Sequence, residues 1–98
     1  MAATYLALVY DLVDDYLDRR PPLRSEHLAL AEAARERGEL LLAGALAEPA
    51  DTAVLVWAEG SRDAAERFVR EDPYVVNGLV KRWTLQPWNV VVGEIGLA

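Results

Sequence analysis

The chain contains no cysteine, which excludes disulfides, thiolate metal centres and cysteine nucleophiles and makes a cytoplasmic location the expected one. Histidine occurs once, so a metal site built on two histidines is excluded as well. No stretch approaches the roughly 18 consecutive apolar residues of a membrane helix. The opening Met1-Ala2-Ala3-Thr4 lacks a basic region, and the apolar run from Tyr5 to Tyr10 is cut by Asp11, so no signal peptide is expected. Positive charge is scarce: 10 bases stand against 16 acids, a net charge of -6. That is the wrong sign for a chain held to nucleic acid by neutralising phosphates. There is neither a glycine-rich phosphate loop nor a Gly-x-Ser-x-Gly elbow. No nucleic acid, membrane or cofactor is therefore expected among the partners.

What the chain has is an ordinary globular composition, 53% hydrophobic and 27% charged over 98 residues, too apolar for a disordered segment. Scaling of surface with mass implies that about 65% of the unfolded surface is buried on folding, enough for one core. A single domain over residues 1–98 is expected.

Residues 4–11 are short, aromatic and β-branched, and read as a strand. Both of its alternating faces are apolar, Tyr5/Ala7/Val9 on one and Leu6/Leu8/Tyr10 on the other, as in a strand covered on both sides. A charged connection over Asp14–Arg20 stops at Pro21-Pro22, where proline opens a helix running to about Arg37. Leu23, His27, Leu30, Ala31 and Ala34 fall on its apolar face, and Gly38 supplies a left-handed cap. Leu40–Leu46 reads as a second strand with a bulge or a close backbone approach expected at Gly44, and Thr52–Ala58 as a third, antiparallel to it. Ser61 is the expected N-cap of a helix from Arg62 to about Arg70, ended by Asp72-Pro73. A turn over Tyr74–Gly78 leads into a last strand, Val80–Val92.

The order β-α-β-β-α-β is that of a ferredoxin-like α+β domain, a four-stranded antiparallel sheet carrying two helices on one face. The other face, left in water, would expose a large apolar patch. A homodimer with sheets packed face to face is the economical solution, expected to bury some of Leu6, Leu8, Tyr10, Leu55, Trp57 and Trp83.

Few residues are equipped for chemistry. His27 is the natural general acid or base; it is equally read as a packed core histidine. Asp72, just before a proline, is either a turn aspartate bonded to nearby amides or the partner of His27. In a split βαβ fold with antiparallel helices, the start of the first helix and the end of the second meet at one end of the domain, where the two residues form a dyad. Arg24, one turn before His27, either binds a substrate carboxylate or phenolate or is a solvated charge paired with Asp18 or Glu26. Asp11, Asp14, Asp15 and Asp18 fit no calcium loop and read as a solvated charge run.

Arg24-Ser25-Glu26-His27-Leu28, Leu42-Ala43-Gly44, Asp72-Pro73-Tyr74 and Asn77-Gly78-Leu79-Val80, in this order over about Tyr5 to Val92, resemble the YCII-related family of small bacterial proteins. The resemblance implies a dimeric α+β barrel with a site built around a histidine and an aspartate. These match His27 and Asp72 as catalytic residues; Arg24 and Tyr74 are the residues expected to bind substrate, and no metal is expected. It also implies a cofactor-independent lyase, isomerase or dehydrochlorinase acting on a small cyclic or aromatic hydroxy compound. A non-enzymatic dimeric module that binds a small ligand or regulates a partner is the alternative.

Overall fold

The computed structural model describes residues 3–95, so Met1 and Ala2 of the N-terminal stretch lie outside the described residues. The elements follow as β1 (Ala3–Leu12), α1 (Tyr16–Arg19), α2 (Pro21–Glu36), β2 (Leu40–Ala45), β3 (Thr52–Ala58), α3 (Arg62–Glu71), α4 (Pro73–Val76) and β4 (Val80–Val90). The strands form one antiparallel sheet in the order β2-β3-β1-β4. The expected α+β arrangement is present, with two single-turn helices, α1 and α4, where the sequence suggested a loop and a turn.

Strand alternation decides which residues the helices cover. Leu6, Leu8 and Tyr10 lie opposite Trp57, Leu55 and Ala53 across the β1–β3 ladder. All six join one core with Ala34 of α2 and Ala65, Phe68 and Val69 of α3. This corrects the set expected in a sheet-to-sheet interface: Leu6, Leu8, Tyr10, Leu55 and Trp57 are buried beneath the helices. Trp83, opposite Tyr10, shares their face at the edge of the sheet. The large side chains go where two helices supply deep packing partners. The face without helices takes Ala7, Val9 and Val54, whose small and β-branched side chains make a flatter surface, together with Val56, which is itself buried.

Two other local expectations change. The bulge of β2 falls between Leu40 and Leu42 rather than at Gly44. Ser61 precedes α3 without a side-chain cap bond, its φ of −99° and ψ of 24° lying outside the extended region from which a serine reaches back to the first turn. Gly38 does take the left-handed conformation, φ +78°, at the end of α2, where the Glu39 amide bonds back to the Ala34 carbonyl.

Candidate functional site

The break between α3 and α4 makes the centre of the site. Pro73 forces its predecessor out of helical geometry, and Asp72 accordingly sits at φ −63°, ψ 118°, closing α3 and capping α4. Its Oδ1 accepts the Tyr74 amide at 3.0 Å. This is the turn aspartate considered from sequence, but the side chain does more. Nδ1 of His27, from α2, lies 2.8 Å from the same Oδ1, and the Tyr10 hydroxyl of β1 donates to Oδ2 at 2.8 Å. Asp72 is fully buried. A buried carboxylate must be supplied with donors, and here β1 and α2 supply one each besides the local backbone amide.

A carboxylate can only accept, so Nδ1 of His27 is the donor and the lone pair of the neutral ring resides on Nε2. The ring is clamped on its faces as well. Tyr74 stacks on it with centroids 3.9 Å apart and planes 12° off parallel, and Phe68 of α3 stands edge-on at 6.0 Å. Tyr16 in turn meets Tyr74 edge to face at 5.6 Å, with the Arg20 guanidinium 5.3 Å above its ring. Burial pushes the Tyr74 phenol up to about 12, with Tyr16 adding to the shift while Arg20 and Arg24 pull it the other way.

His27, Tyr10, Tyr74, Tyr16, Arg20 and Arg24 all border a cavity of about 160 Å³, whose remaining wall is built of small residues from β2 and β3, Ala43, Gly44, Ala45 and Ala53, with Leu28 and Leu55. A volume near 150 Å³ holds a benzene-sized ring. The lining pairs an apolar wall with one imidazole and two guanidiniums. Among the described residues, neither Arg20 nor Arg24 has a carboxylate within salt-bridge reach. The partner suggested for Arg24, Asp18 or Glu26, is thus not engaged. The acidic run is solvated: Asp14, Asp15 and Asp18 are exposed, Asp15 pairs with Arg19 at 3.7 Å and Asp11 with Arg82 at 2.8 Å.

The structure therefore brings together all four residues singled out in the sequence. Three others at the cavity escaped: Tyr10, Tyr16 and Arg20. A usable signal existed for Tyr10, since a phenol on a strand face destined for the core needs a polar partner. Tyr16 and Arg20 gave none, lying in a stretch whose charge concealed a helical turn.

A model of the YCII-related domain matches residues 3–89. The chain belongs to the YCII-related family. No curated protein matches the sequence. Among solved structures, this YCII-related chain is similar in fold to 5-chloro-2-hydroxyhydroquinone dehydrochlorinase (TftG) from Burkholderia phenoliruptrix, in complex with 2,5-dihydroxybenzoquinone. The TM-score is 0.70 at 18% identity, and the match covers 86% of this chain and 92% of that one.

Proposed function

We propose that this YCII-related protein is a cofactor-independent lyase or isomerase, of the dehydrochlorinase type, for a small cyclic or aromatic hydroxy compound. The observation that carries this reading is the 2.8 Å pairing of His27 with the buried Asp72 at the wall of a ring-sized cavity. His27 takes a proton from the substrate at Nε2. Asp72 holds the tautomer and balances the imidazolium. Arg24, with Arg20, binds the oxygen on which negative charge develops, and Tyr74 forms part of the aromatic wall. In an elimination, the electron pair left by the departing proton enters the ring system as the halide leaves with its bonding pair. In an isomerisation, the imidazolium returns the proton at another carbon. The ligand bound by the dehydrochlorinase of similar fold, a dihydroxylated quinone, is likewise built on a single six-membered ring.

The test is a screen of chlorinated hydroquinones, lactones and related cyclic acids with wild type and His27→Ala. Loss of the base lowers the rate by about 10²–10⁴-fold. Equal turnover by both proteins, or none by either, removes the catalytic reading and leaves a ligand-binding module. We also propose that two copies pair through the uncovered sheet face.

A further inference from the structure

The proton transfer proposed above uses His27 and Asp72, yet the carboxylate has a second side-chain neighbour with no part in it. Tyr10, 1% exposed, projects from β1 beneath the helices, and its hydroxyl donates to Oδ2 of Asp72 at 2.8 Å. His27 and the Tyr74 amide share the other oxygen. Among the described residues the phenol is the one hydrogen-bond partner of Oδ2. We infer that Tyr10 is a positioning residue that lowers the basicity of His27 by acting through Asp72. The inference rests on reading His27 as the base of the site.

The physical argument is competition among donors for one carboxylate. Each hydrogen bond draws negative charge toward the oxygen that accepts it, and a buried group has no water to even out the difference. With Oδ2 engaged by a phenol, less charge remains on Oδ1 to stabilise an imidazolium. If the phenolic hydroxyl is removed, Asp72 depends more heavily on its remaining donors. The charged imidazolium profits from this more than the neutral ring, because a charge-assisted hydrogen bond is the stronger of the two. Proton affinity at His27 therefore rises when Tyr10 loses its hydroxyl. Proton transfer in both directions, as an isomerase or a reversible elimination requires, is served by a base that releases its proton as readily as it takes it.

The other groups facing the imidazole stay constant in this comparison. They are Tyr16 of α1, Arg20 and Arg24 at the start of α2, Phe68 of α3, and Tyr74 of α4. Only Phe68 is neither charged nor titratable.

Because the chain has one histidine, nitrogen NMR of uniformly labelled protein reads its pKa and tautomer without ambiguity. Tyr10→Phe keeps the ring in the core and removes the donor. The expected result is a His27 pKa raised by at least about half a unit, roughly a threefold gain in proton affinity, with Nδ1 still protonated in the neutral form. A second protein carries 3-fluorotyrosine at position 10 alone. Its more acidic phenol is the stronger donor, and the expected shift is downward. A His27 pKa that stays within about 0.2 unit of wild type, or falls, in Tyr10→Phe overturns the inference. If that variant fails to fold, the fluorotyrosine protein decides: a lowered pKa supports the inference, and an unchanged or raised one overturns it. A tyrosine that merely fills the core would change the melting temperature and leave the imidazole titration in place. The measurement needs no substrate, so its failure is distinct from failure of the turnover screen.

Discussion

At the scale of single residues, the site depends on keeping ionisable groups in chosen protonation states where water is scarce. Tyr10 and Tyr74 are both held protonated. Burial pushes the Tyr10 phenol far up, and the adjacent Asp72 charge and the hydrogen bond to it add to the shift; Tyr74 is pushed up to about 12, chiefly by burial. Such a phenol keeps its proton in the folded chain at pH values where the unfolded chain, with an ordinary value of 10.0, has released it. The native state then binds more protons than the unfolded one, so its stability falls as pH rises. The contribution is complete below about pH 10 and is lost progressively above it, through about 12 for Tyr74 and beyond for Tyr10. Urea titrations between about pH 8 and 11.5 should show a midpoint that is level at first and then declines, with phenolate absorbance from Tyr10 appearing only on unfolding. A midpoint independent of pH across that range, or early ionisation of all four tyrosines, would contradict this account of the pocket.

At the scale of elements, the sequence was informative wherever one force acted alone. Proline followed by a helical apolar stripe located α2, Gly38 its end, and Asp72-Pro73 the end of α3. The pairing of His27 with Asp72 was legible because topology brings the start of one helix to the end of the other. What escaped depended on competition. Both faces of β1 are apolar, so alternation could not say which one the helices would choose; that required the bulk of Trp57 and Phe68, whose rings meet at 5.4 Å. Tyr16–Arg19 looked like a charged loop, because a four-residue helix has no room for a periodicity. Ser61 carried a capping residue type without capping geometry. Since no cap bond exists to be lost, Ser61→Ala should cost less than about 0.5 kcal/mol, against about 1 kcal/mol for an engaged cap. Chemical denaturation of the two proteins checks this, and a loss above about 1 kcal/mol would mean that the hydroxyl does bond the first turn of α3.

At the scale of the whole molecule, the sheet is finished on only one side. Ala7, Val9 and Val54 are half-buried at its centre on the uncovered face, Val9 in register with Val54 and Ala7 with the buried Val56, and Trp88, 46% exposed, leans on Tyr5 at 6.4 Å between ring centroids. Among the described residues the one ion pair on this face, Asp11 with Arg82, is at its end and is internally neutral. The proposed second copy would meet this surface with its own, since a two-fold pairing sets each apolar centre on its equal. Each chain also carries a net charge of -6, so association works against a long-range repulsion that salt screens. The native protein is therefore expected to sediment as a dimer at micromolar concentration, and to hold together more tightly as ionic strength rises. Val54→Glu places an unpaired carboxylate at the centre of the buried face, at a cost of several kcal/mol, and should yield a monomer that keeps the His27–Asp72 pairing. A wild-type protein that sediments as a monomer under these conditions, or a Val54→Glu variant that remains dimeric, would mean that the face is covered in some other way.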